Sequence, residues 1–223
     1  MYENLLRLPY FQGMGKKELT AILDKVKLDF TRHKENEVVL TQGVKCDKFV
    51  ILIQGTLRAE HISNDGRYKL SEEIEAPYAI EPYSLFGSEP NFKRNYFSVG
   101  ESSMLSIDKS FFYSDFLKQN IFTMNLLNLI SRREQLQSRL SWLDTPLTIE
   151  GLITRFIAVR CKNLCGKKIL SIKMEQLAAQ LRETRINVSR ALNDMQDRGL
   201  VKLSRGEILI PEFEMLVAET WNM

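Results

Sequence analysis

"RETRINVSRALNDMQDRGLV", residues 182–201, is the stretch around which the rest of the chain falls into place. Val188, Ala191, Leu192 and Met195 fall at i, i+3, i+4 and i+7, so at roughly 100° per residue they form one apolar stripe for a domain core. The opposite face carries Ile186, Ser189, Arg190, Asn193 and Asp197. Thr184 is a helix-capping residue type, and Arg185 sits in the first turn, where a long side chain reaches past the helix end. A basic amphipathic helix is by default a solvated surface. Its neighbours in sequence decide whether its partner is water or a polyanion.

Upstream, "KMEQLAAQL" (residues 173–181) predicts a second helix with Leu177, Ala178 and Leu181 apolar, and only Arg182 and Glu183 separate it from Thr184. Two short helices, a tight turn and small alanines at the crossing make a helix-turn-helix. Downstream, "VKLS" (201–204) and "EILI" (207–210) meet at Arg205-Gly206 and predict a hairpin wing, with Lys202 and Arg205 placed for phosphates. Residues 160–205 hold 11 basic and 4 acidic side chains, a balance of +7, whereas residues 35–101 hold 7 basic and 11 acidic, a balance of −4. Only the C-terminal part suits a polyanion. Arginine pairs with guanine O6 and N7 in the major groove, and Asn and Ser read or position neighbouring groups. The expected DNA contacts are Lys173, Thr184, Arg185, Ile186, Asn187, Ser189, Arg190, Lys202 and Arg205.

Working towards the N-terminus, "LDTPLTIEG" (143–151) has the capping types Asp144, Thr145 and Thr148, and Pro146 disfavours a helix through Thr145, so a domain joint is expected there. Before it, Phe122, Leu126, Leu129, Arg133, Leu136, Leu140 and Leu143 alternate steps of four and three. That is an a/d seam with one polar interruption at Arg133, and it predicts a long helix pairing with a second copy. From Phe30 to Ile107 the pattern is of short β-rich runs, "VVLTQG", "KFVILIQGTLRAEHI", "YKLSEEI", "YFSVGES" and "MLSI", punctuated by glycines and by Asn64-Asp65-Gly66, a hairpin turn. Two short helices, at residues 3–11 and 16–25, precede them. The fold class is therefore α+β: an antiparallel β-roll over 1–110, a dimerisation helix over 111–143 and a winged helix-turn-helix over 144–223.

The longest apolar run, Phe49 to Ile53, is far below the roughly 18 residues that span a bilayer, and no secretory leader is read at Met1. Cys46, Cys161 and Cys165 are an odd set that fits reduced thiols. A cytoplasmic protein without a membrane partner or a metal site is expected. No phosphate loop, nucleophile motif or metal-spaced carboxylate set is present, so no catalytic residues are expected.

The order of parts resembles the CRP/FNR superfamily, bacterial regulators related to the cyclic AMP receptor protein. The resemblance rests on "LTQG…FVILIQGTL", "LFG", "LSWLD" and "ETRINVSRALNDM" and covers nearly the whole chain. It implies a cyclic-nucleotide-binding-like jelly roll, a homodimer on a palindromic operator with recognition helices about 34 Å apart, and RNA polymerase as a partner. In the family's recognition motif, Thr184, Arg185 and Arg190 fill the phosphate-contacting and base-reading positions. Ile186 stands where many members have a base-reading Glu, and Arg182 where the turn often has Gly.

The sensor end departs further. Nucleotide-binding members carry Phe-Gly-Glu and then Arg-Ser/Thr-Ala, whereas this chain has Phe86-Gly87-Ser88, then Lys93-Arg94 before Asn95-Tyr96, and Arg133-Glu134 where a Thr-Ser pair meets adenine. The resemblance thus argues against cyclic AMP, and no cysteine cluster precedes Cys46 to hold an iron–sulfur group. "APYAIEPYSLFGSEPNF" (76–92) is similar to a segment of the regulators of the hybrid-cluster protein and nitrosative stress, some of which are linked to heme and nitric oxide, so the resemblance leaves the effector open with heme as one candidate. Its pocket would involve Phe86, Gly87, Ser88, Phe92, Arg94, Phe97, Arg133 and Glu134, with Met104 adding apolar lining and with His33 and His61 the only histidines. The expected function is effector-controlled transcription regulation. The alternative is a ligand-binding subunit acting on a protein partner.

Overall fold

A computed structural model describes residues 2–221 and divides the chain into two compact units, residues 1–59 with 74–136 and residues 60–73 with 137–223. No described helix is long and apolar enough to cross a membrane.

The first unit opens with α1 (Tyr2–Leu6) and α2 (Lys16–Leu23), and its strands are β1 (Leu28–His33), β2 (Val38–Leu40), most of β3 (Lys48–Ile62), the end of β4 (Tyr68–Glu75), β5 (Tyr78–Ile80) and β6 (Asn95–Asp108). β1 and β2 both lie antiparallel to β6, and β5 lies antiparallel to β3. This is the expected antiparallel roll. The runs "YFSVGES" and "MLSI" join as one strand because inward residues alternate through Tyr96, Ser98, Ser102 and Met104. Gly55 permits the close approach of β3 and β6: its φ is +91°, and a Cβ there would lie 2.4 Å from the Glu101 carbonyl oxygen.

After β6 come α3 (Lys109–Phe111), a π-helical turn over Phe112–Phe116, and the long α4 (Asn120–Trp142). Phe122 decides how α4 is turned. Its ring lies 5.3 Å from those of Phe11 and Phe116 and 5.5 Å from that of Phe112, in a core that also takes Leu126. These two residues therefore belong to the unit's own core, which corrects their reading as seam residues. An aromatic cluster of this size offers the ring more burial than a two-helix seam would. Leu140 is also buried, within the second unit, while Leu129, Leu136 and Leu143 are half-buried. The exposed large apolar residues of α4 are Ile121, Met124, Leu127 and Ile130 in its first half and Trp142 at its end. The side that carries Leu127 and Ile130, rather than the side of Phe122 and Leu126, is therefore turned outward.

In the second unit, α5 (Ile149–Ala158) is capped by Thr148, whose Oγ1 accepts the Gly151 N–H at 3.1 Å. There follow β7 (Lys168–Ile172), α6 (Met174–Leu181), α7 (Arg185–Asp197), β8 (Lys202–Ser204), β9 (Glu207–Ile210) and α8 (Phe213–Thr220). β8, β9 and β7 are joined antiparallel, and residues 68–72 of β4 add the next strand beside β7. The core takes Ile153, Ile157, Leu177, Val188, Leu192, Met195, Phe213 and Leu216.

Candidate nucleic-acid interface

α6 and α7 meet across Arg182 and Glu183. Arg182 takes the left-handed conformation at φ 57° and ψ 38°, so an arginine fills the turn position that glycine favours. The Glu183 N–H closes the turn on the Ala178 carbonyl at 3.0 Å. Thr184 caps α7, its Oγ1 accepting the Asn187 N–H at 3.2 Å. Val188, Leu192 and Met195 are fully buried with Ala191 beside them, so the stripe read from the sequence anchors the helix.

The outer face then follows from the helical period. Arg185, Ile186, Ser189, Arg190, Asn193 and Asp194 line one shallow surface depression. Ile186 is 71% exposed, unusual for an aliphatic side chain at the start of a helix. Arg185 Nη1 lies 3.6 Å from Glu175 Oε1, and Asn187 Nδ2 donates to Glu183 Oε2 at 3.4 Å, so these two have acidic neighbours. Arg190, Lys202 and Arg205 are exposed and have no acidic partner among the described residues; Lys173, also exposed, stands at the N-terminal boundary of α6. Arg198 is the contrast: it is held by Glu150 of α5 and by Glu219 of α8 at 3.4 Å, which fixes the C-terminal end of α7 within the unit. The wing is tied to α7 through Gln196, whose Oε1 accepts the Leu203 N–H at 2.8 Å. Sequence reading missed Gln196 and Arg198 as positioning groups, because both look like ordinary polar residues of a solvated helix end.

Residues 150–219 match the family of Crp-like helix-turn-helix domains. What that match covers is the C-terminal part of the chain, including α6, α7 and the wing. It is 23% identical over 224 residues to the CRP-like cAMP-activated global transcriptional regulator of Mycobacterium tuberculosis, covering 97% of this chain and 98% of the relative. In fold it is similar to the catabolite activator protein of Thermus thermophilus, at 16% identity and a TM-score of 0.50 over 94% of this chain and 96% of that one. The sensor domain of the regulator DNR from Pseudomonas aeruginosa is similar at 16% identity and a TM-score of 0.50, over 60% of this chain and 92% of that domain.

The expected effector residues are dispersed within the first unit. Phe86 packs on Phe112 under the Lys109 ammonium, Phe92 and Met104 are in the core, and Phe97 lies beneath Arg58. Gly87, Ser88 and Glu134 are exposed. Arg94 instead joins a buried polar cluster that sequence reading missed, centred on Glu81, and the exposed Arg133 reaches its edge at Tyr83. Glu81 is fully buried; its Oε1 accepts from Tyr96 at 2.9 Å and lies 3.9 Å from Arg94 Nη1, and its Oε2 accepts from the Lys93 N–H at 2.7 Å and from Ser84 at 3.2 Å. Glu81 also adopts φ 39° immediately before Pro82, a backbone strained for a non-glycine residue. The Arg133 guanidinium stacks 3.6 Å above the Tyr83 ring, tying α4 to this corner. Burial, with Glu81 nearby, pushes the hydroxyls of Tyr96 and Tyr83 above the usual tyrosine range. The only textual trace of the cluster is Glu81-Pro82.

Proposed function

We propose that the protein is a homodimeric, sequence-specific transcription regulator that binds a palindromic operator. The observation that carries this reading is the outer face of α7 and its wing. Arg190, Lys202 and Arg205 stand exposed without acidic partners, while the neighbouring basic residues Arg198 and Lys168 are held in intramolecular pairs. Exposed cations without acidic partners suit phosphates, and Ile186, exposed beside Arg190 in the same depression, suits the methyl group of thymine. The apolar residues Ile121, Met124, Leu127 and Ile130 on α4 supply the dimer contact, and RNA polymerase is the downstream partner. The three functional parts are the roll (1–110), the dimer helix (111–143) and the DNA-binding part (144–223), to whose compact unit residues 60–73 of the roll also belong.

The Glu81 cluster supplies the effector-responsive part of the roll. A ligand that draws Glu81 away from Arg94 would relieve the backbone strain at Glu81, and Tyr83 would carry the change to Arg133 on α4. Cyclic AMP fits this arrangement poorly, because the Glu81 carboxylate already occupies Arg94. A heme also fits poorly, since both ring nitrogens of His33 are engaged, by Glu37 at 2.9 Å and Thr31 at 3.1 Å, and His61 lies outside the first unit.

Selection of bound duplexes from a random pool tests the proposal. Two inverted half-sites one helical turn apart are expected, and Ile186→Glu should change the preferred base at one position of each half-site. Recovery of unrelated sequences, or of a preference that Ile186→Glu leaves intact, would remove sequence reading by α7.

A further inference from the structure

Residues 60–73 are far in sequence from the helix-turn-helix, yet they belong to its compact unit. Tyr68 to Glu72 lie antiparallel to Ile172 to Lys168, so the hairpin adds a strand to a sheet ordered β4-β7-β9-β8, whose last two strands are the wing. Leu70 and Leu170 are paired and buried. Glu72, 3% exposed, accepts the Lys162 N–H at 2.8 and 3.1 Å and pairs with Lys168 Nζ at 2.9 Å. Lys168, 1% exposed, also donates to Asn163 Oδ1 at 2.9 Å and to the Cys165 carbonyl at 2.8 Å. The Arg160 Nε donates to the Tyr68 hydroxyl at 2.9 Å.

The energetics are conditional on the hairpin staying in place. A buried, fully hydrogen-bonded ion pair contributes little over apolar residues of the same size, but removing one partner strands the other charge away from water. Loss of Glu72 would leave the Lys168 ammonium in that position, on the strand that carries the wing. Connectivity adds a second point. The chain passes between the two units at residues 59/60, 73/74 and 136/137, so two of the three connections run through this hairpin.

We propose that residues 60–73 are a docked control strand of the DNA-binding unit: seated through Glu72 and Lys168, they hold β7 and the wing, and their release loosens the wing and weakens DNA binding. The last clause rests on the function proposed above.

The test uses the full chain and hydrogen exchange without DNA, followed by DNA binding. Glu72→Gln should lower protection of amides 168–172 on the order of a hundredfold and expose those of 202–210 as well. Glu73→Gln, which breaks only the exposed pair with Lys167, should leave both unchanged. Glu72→Gln combined with Lys168→Met, which removes both charges, should restore most of the protection. DNA affinity should fall on the order of tenfold in Glu72→Gln and recover in the double variant. Tyr68→Phe, which deletes only the bond from Arg160, is the milder variant should Glu72→Gln unfold the unit, and it should lower the same protection several-fold. Unchanged protection at 168–172 would overturn the docking, and lost protection with unchanged DNA affinity would overturn the control role. A wild type that binds no DNA would instead overturn the proposed function, a failure kept distinct because exchange is read without DNA.

Discussion

Phe122→Ala separates a core residue from a seam residue. Phe122 is fully buried against Phe11, Phe49, Phe112 and Phe116, all in the first unit. Truncating such a ring costs about 3–5 kcal/mol, a large part of the roughly 5–15 kcal/mol that stabilises a typical domain. With a urea dependence of about 2 kcal/mol per molar, the midpoint should fall by roughly 2 M. The two tryptophans make the assignment clean, because Trp142 and Trp221 both lie in the second unit. Far-UV circular dichroism should show the early transition of the roll, while tryptophan emission should follow the second unit's own transition. A core defect shifts the midpoint equally at every protein concentration, whereas a seam defect makes it concentration-dependent. A variant that kept the wild-type midpoint at high concentration but sedimented as a monomer would refute the placement of Phe122.

Leu127→Glu, on the exposed side of α4, should do the reverse: sedimentation should show loss of the dimer while circular dichroism at fixed concentration keeps its shape. Dimerisation unaffected by a charge there would move the contact elsewhere on the helix. Thiol reactivity should separate the cysteines at pH 8. Cys165 is exposed and should react at once, whereas burial beside the Glu81 and Asp47 carboxylates pushes Cys46 up to about 12, leaving almost no thiolate, and Cys161 is buried. Peptide mapping after brief alkylation should find the label on Cys165, and fast labelling of Cys46 would contradict the packing of the first unit.

Legibility followed the range of the interaction that fixes each feature. The stripe Val188, Ala191, Leu192 and Met195, the Thr184 cap and the Asn64-Asp65-Gly66 turn are local patterns, and the structure has each where the sequence places it. The turn at Arg182 was less plain, since an arginine stands where glycine is the usual signal. The rotation of α4 was misread because a heptad spacing shows only that a stripe is apolar. What the stripe meets depends on Phe11, more than a hundred residues earlier in the chain. The Glu81 cluster and the Glu72–Lys168 pair were missed for the same reason. A buried charge is recognised by its partner, and each partner lies on another element.

The central claim is that the outer face of α7 reads DNA, and the salt dependence of affinity tests it most directly. Binding to a selected palindrome should weaken steeply as salt rises, with a log–log slope near −0.9 for each phosphate contacted. Arg190→Ala should lower affinity for that site by about 1–3 kcal/mol, roughly 5- to 150-fold, while binding to unrelated duplex changes much less. Affinity that is flat with salt, or a palindrome bound equally well by Arg190→Ala and wild type, would contradict the account.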